Sequence, residues 1–102
     1  MSEFLPAAPL AQIPAGRGLT VQVGGRELAL LREGDKIYAL DNKCPHKGAP
    51  LSFGWVENGK VACPMHGWEF ECGTGVCTDR PNVAVNRYEV KVEEGMVMVK
   101  VE

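Results

Sequence analysis

The sequence predicts an all-β fold, an antiparallel β sandwich or small barrel. Twelve glycines and seven prolines divide its 102 residues into short pieces. Several pieces alternate apolar and polar residues with a period of two, and none repeats apolar residues at helical spacing over ten or more positions. Short strands with frequent turn signals between them favour a sandwich or barrel.

Taken in order, Leu19-Thr20-Val21-Gln22-Val23 alternates, and Arg26 to Leu31 resumes after Gly24-Gly25, the pattern of a hairpin with a two-glycine turn. Lys36 to Leu40 is a further strand, entered through Glu33-Gly34-Asp35. In the middle of the chain the strands are brief: Trp55-Val56-Glu57 and Lys60-Val61-Ala62 about Asn58-Gly59, then Trp68 to Glu71 and Val76 to Thr78 about Gly73-Thr74-Gly75. Tyr88 to Val92, the turn Glu93-Glu94-Gly95 and Met96 to Val101 form a closing hairpin expected to share one β layer with the first. Met96 and Met98, alternating with valines, read as core filling, and Trp55 and Trp68 as packing beneath the loops.

Composition narrows the function. With 45% hydrophobic and 24% charged residues the chain can build a core, and its length suits one domain over 1–102. Eleven basic against thirteen acidic residues give a net charge of -2 without a basic run, so no nucleic-acid partner is expected. No apolar run approaches the roughly 18 to 20 residues of a membrane span, and the start MSEFLPAAPL lacks a basic region backed by a continuous apolar stretch, so a cytoplasmic location without membrane contact is expected. Four cysteines in that setting point to metal binding or free thiols before disulfides.

Residues 43–87 hold both histidines, all four cysteines and both tryptophans. Cys44-Pro45-His46 and Cys63-Pro64-Met65-His66 give Cys-x-His, sixteen residues, Cys-x-x-His, and consume every histidine in the protein. Each pair follows a strand and carries a proline that stiffens its loop. Two soft thiolates and two imidazoles can hold zinc tetrahedrally as a structural site, or a 2Fe-2S cluster with cysteines on one iron and histidines on the other. No catalytic residue stands out: there is no nucleophile with a base and no phosphate-binding glycine loop, so no catalytic activity is expected of the chain alone.

The string CPHKGAPLSFGWVENGKVACPMHGWEFECGTG closely resembles the cluster-binding region of Rieske iron-sulfur proteins, down to Gly48-Ala49-Pro50-Leu51 after the first histidine and Gly67-Trp68 after the second. The resemblance implies a Rieske-type fold, a β base bearing a cluster-binding subdomain of two loops at about 43–87. It implies one 2Fe-2S cluster, with Cys44 and Cys63 on the inner iron and His46 and His66 on the outer, solvent-facing iron. Gly48, Gly54 and Gly67 would let backbone N–H groups approach the sulfides.

Departures from the high-potential relatives are equally informative. Ala49 and Met65 stand where those proteins carry disulfide-forming cysteines, and Trp68 and Phe70 where they carry serine and tyrosine hydroxyls bonded to cluster sulfur. Losing those bonds lowers the expected potential toward the bottom of the Rieske range of roughly −150 to +300 mV. The resemblance then implies a low-potential ferredoxin, monomeric when free, carrying single electrons from a flavoprotein reductase to a terminal oxygenase. The same motif suits the small subunit of an NADH-dependent nitrite reductase, whose partner would be a large flavin and sirohaem subunit. Lys47, beside His46, reads as a solvated charge or a partner contact. Cys72 and Cys77 lie outside the ligand pattern, and a cross-strand disulfide, a redox switch and inert thiols all remain open for them.

Overall fold

The computed structural model of the chain describes residues 3–45, 48–65 and 67–101. Its strands are β1 (Phe4–Pro9), β2 (Gly18–Val23), β3 (Arg26–Glu33), β4 (Lys36–Asp41), β5 (Trp55–Glu57), β6 (Lys60–Ala62), β7 (Glu69–Glu71), β8 (Arg87–Glu93) and β9 (Met96–Lys100). Helix among the described residues is confined to two 3-10 turns, Leu10–Gln12 and Leu51–Phe53. The fold is all-β, as the turn-rich, period-two sequence requires.

Six strands pair antiparallel in the order β1-β9-β8-β4-β3-β2, and β1 lies against β2, so the sheet curls into a near-barrel. No alternating signal marks β1 in the sequence, because Pro6 and Pro9 interrupt it. Proline cannot donate to a ladder, yet β1 pairs only with β9 and its register slips between Pro6 and Ala8, the irregular edge position that proline tolerates. The first and last predicted hairpins do belong to one sheet, joined where Leu40 of β4 pairs with Arg87 of β8.

Strand β3 explains the architecture. Leu28, Ala29, Leu30 and Leu31 are all buried, although an ordinary barrel strand buries alternate residues. Leu28 and Leu30 join Val21, Val23, Ala39, Val97 and Val99 inside the barrel, whereas Ala29 and Leu31 join Leu40 in a second core shared with residues 44–85. The second core fills the space beneath a small three-stranded antiparallel sheet of order β5-β6-β7. Its central row, Val56 opposite Val61 opposite Phe70, faces inward.

Three local expectations need correction. Val97 and Val99 are the core residues of β9, and Met96 and Met98 are only half-buried, because the register turns the valines inward. Val76 to Thr78 makes isolated bridges, Phe70 to Cys77 and Val76 to Ala84, in place of a continuous strand. Trp55 is 56% exposed, since it alternates with the inward-facing Val56.

Candidate metal centre

The two cysteine-containing loops are closed by the same pair of hydrogen bonds. In the first, Cys44 N–H donates to Ala49 O at 2.8 Å and Gly48 N–H donates to Cys44 O at 2.7 Å. In the second, Cys63 N–H donates to Trp68 O at 2.7 Å and Gly67 N–H to Cys63 O at 2.9 Å. Each loop thus runs Cys-Pro-x-x-Gly and turns back at a glycine, with φ of +75° at Gly48 and +76° at Gly67, where an L side chain would be strained. Gly54 serves differently. Its φ is ordinary, but a Cβ there would run into the carbonyl of Ala62, so its lack of a side chain lets the chain after the first loop press against the strand entering the second.

Cys44 and Cys63 are each 1% exposed and sit in one buried cluster with Val56, Val61 and Phe70. Among the described residues no group of three or more histidine, cysteine or carboxylate side chains converges as a metal site. His46, His66 and Lys47 lie outside the described residues. Ala49 is buried beside the first loop and Met65 is exposed at the second.

The first loop is braced from below by Asn42, a fully buried polar residue that no motif in the sequence marks. Its Oδ1 accepts the Ser52 N–H at 2.8 Å, and its Nδ2 donates to Glu27 Oε2 at 2.8 Å. Its main-chain oxygen accepts from Leu51 N–H at 2.6 Å. The Thr20 and Ser52 hydroxyls meet at 2.6 Å, a second tie from barrel to loop. Buried polar groups linked in this way fix one geometry, because breaking any link leaves a desolvated donor or acceptor.

The second loop is held from the side. The Arg80 guanidinium lies 5.0 Å from the centre of the Trp68 ring, and the Asp79 carboxylate accepts the Glu69 N–H at 3.3 Å. Phe70, fully buried, occupies the space behind.

Cys72 and Cys77 are buried in the same cluster and no disulfide joins any of the four cysteines. Burial, and secondarily the Glu33 carboxylate, push the Cys72 thiol up to about 12. It is a neutral, apolar packing group at physiological pH.

Comparison with known proteins follows the same lines. A family model described as the Rieske 2Fe-2S domain matches residues 3–93. The ferredoxin component of the naphthalene 1,2-dioxygenase/salicylate 5-hydroxylase systems of Ralstonia sp. is 38% identical over 100 residues, covering 97% of this chain and 96% of that protein. Among solved structures, a chain described as an NADH-dependent nitrite reductase small subunit from Mycobacterium tuberculosis superposes with a TM-score of 0.92 at 29% identity, covering 100% of this chain and 97% of that one. The ferredoxin of carbazole 1,9a-dioxygenase from Nocardioides aromaticivorans IC177 gives 0.85 at 32% identity, covering 94% and 95%.

Proposed function

Since the chain belongs to the Rieske 2Fe-2S domain family, we propose that it is a one-electron carrier passing electrons from a flavoprotein reductase to a terminal oxygenase, its cluster held by Cys44, His46, Cys63 and His66. The Rieske-type cluster that goes with the family supplies reversible uptake of a single electron. The donor set suits it. Two soft thiols stand at the roots of matched loops, and each loop brings one histidine, at the third position of the first and the fourth of the second, counted from its cysteine.

The observation that carries this reading is the pair of identical loop closures, which hold the main chain on either side of Cys44 and Cys63 in the same turned-back path. Cys44 and Cys63 anchor the group on the protein side, in the dry core shared with Phe70. The Asn42 network and the Arg80–Trp68 stack hold the two loops in place, which keeps reorganisation on electron transfer small. The carrier is assigned to the cytoplasm as a free monomer. No helix among the described residues is long and apolar enough to cross a membrane.

A second reading, small subunit of a nitrite reductase, is favoured by the likeness over the whole chain to a protein of that description. Copurification with a large flavin and sirohaem subunit selects it, and isolation as a free red-brown monomer selects the carrier.

The test of the metal centre is analysis of anaerobically purified protein. About two irons and two acid-labile sulfides per chain, with an averaged g-value below 2 on reduction, are expected. One zinc without sulfide refutes the proposal. Replacing His46 or His66 by alanine should strip or damage the cluster, whereas Cys72→Ser should leave its spectrum unchanged.

A further inference from the structure

We propose that the outer face of the β5-β6-β7 sheet is the docking surface for a basic patch on a protein redox partner. The inference rests on the carrier reading above and adds the surface used and the chemistry of what meets it.

The register defines this face. Val56, Val61 and Phe70 form the inward row, 6%, 0% and 0% exposed. Side chains alternate across a strand, so the flanking rows, Trp55–Ala62–Glu69 and Glu57–Lys60–Glu71, point the other way. Glu57, Glu69 and Glu71 are exposed and Lys60 is half-buried, which sets three carboxylates against one ammonium. Trp55, 56% exposed, gives the face an apolar corner. The guanidiniums bordering the sheet are stacked on aromatic rings, Arg17 over Trp55 at 5.5 Å and Arg80 over Trp68 at 5.0 Å.

Charge is segregated between this face and another part of the protein. A cavity of about 310 Å³ at the end of the main sheet is lined by Arg26, Arg87 and Lys100 with Glu89, Asn86 and Tyr88, the reverse balance. A face on which carboxylates outnumber ammonium groups favours the approach of an oppositely charged partner and orients it, and an exposed tryptophan is the kind of residue that anchors an interface once formed.

Position makes the face useful for electron transfer. Ala62, in its first outer row, precedes Cys63, and Glu69 in the same row follows Trp68, whose carbonyl closes the second loop. A partner seated there lies beside the second cysteine loop, on its flank, with no strand in between.

Cytochrome c, a basic one-electron haem protein, is a suitable probe. Calorimetric titration of the oxidised, cluster-loaded protein should show binding at 10 mM salt that weakens steeply by 150 mM. The Glu57→Lys, Glu69→Lys double variant should bind about tenfold more weakly and lose most of that salt dependence. Glu93→Lys, Glu94→Lys, in and beside the β8–β9 turn, makes the same change in net charge and should bind as wild type does. Equal losses in both variants, or none in the first, overturn the proposal. Stopped-flow oxidation of the reduced protein by ferricyanide reports separately on the carrier reading. A protein that binds cytochrome c as described but cannot be oxidised in one-electron steps overturns that reading and the redox role of the partner with it, and leaves the face only as a binding surface for basic proteins.

Discussion

Tyr88 donates its phenolic hydroxyl to Asp41 Oδ1 across 2.7 Å. Asp41 ends β4, where the chain leaves the barrel, and Tyr88 stands at the start of β8, where it returns. The other carboxylate oxygen accepts Asn86 N–H at 3.1 Å, and the Asp41 N–H donates to Asn86 O at 3.0 Å. One aspartate therefore clasps both ends of the segment that carries all four cysteines.

Tyr88→Phe should destabilise the protein by about 1 kcal/mol in chemical denaturation near neutral pH. Burial raises the Tyr88 pKa, and its bond to Asp41 and the charge of that carboxylate raise it further. The folded hydroxyl holds its proton above the pH, near 10, at which the unfolded one releases it. Its contribution is complete below that point and fades as pH rises through the folded value. The gap between wild type and Tyr88→Phe should therefore narrow in alkali, and a gap that widens there would contradict this account.

Cys72, with its thiol pushed up to about 12, should resist iodoacetamide in the native protein at pH 8 and react only on unfolding, as read by site-resolved mass spectrometry. The sign of the linkage follows. Above about pH 9 the unfolded thiol ionises while the native one does not, so stability falls with rising pH across that interval. Cys72→Ala should remove that part of the alkaline loss, although the cavity it leaves lowers stability at neutral pH.

Gly54→Ala should cost about 1 to 3 kcal/mol and lower the iron content of the purified protein, because the new methyl meets the main chain at Ala62 and neither segment can rotate away. Gly73→Ala is the control. Nothing lies within 4 Å of the place its methyl group would take and its φ is not in the left-handed range, so its effect should stay within about 0.5 kcal/mol.

Phe70→Tyr tests the potential. The wild-type midpoint is expected at the low end of the Rieske range, about −150 mV, by voltammetry at pH 7. Phe70 is fully buried, so an added hydroxyl either bonds to cluster sulfur and raises the potential or stays unsatisfied at a cost of about 1 to 3 kcal/mol. A wild-type midpoint well above zero would show that Trp68 and Phe70 do not set the potential.

The sequence made the hairpins legible because period-two alternation and paired turn residues at Gly24-Gly25, Asn58-Gly59 and Glu94-Gly95 are local signals. The two cysteine loops were legible for the same reason, their cysteines and turn glycines lying within a few residues of one another. What stayed hidden depends on partners distant in the chain. No motif marks Asn42 until Glu27, Thr20 and Ser52 surround it. Trp55 looks like core until the register of Val56 turns it outward, and β1 cannot be read through its prolines until β9 pairs with it.

Strand β3, buried on both faces, has a thermodynamic consequence. Leu28 and Leu30 belong to one core and Ala29 and Leu31 to the other, so neither can melt while the other keeps its wall. Amide hydrogens along this strand should be among the last in the molecule to exchange, and only through global opening. Barrel and loop base then unfold as a single cooperative unit, so a stabilising substitution deep in the barrel should lengthen the lifetime of the distant thiol pocket as well.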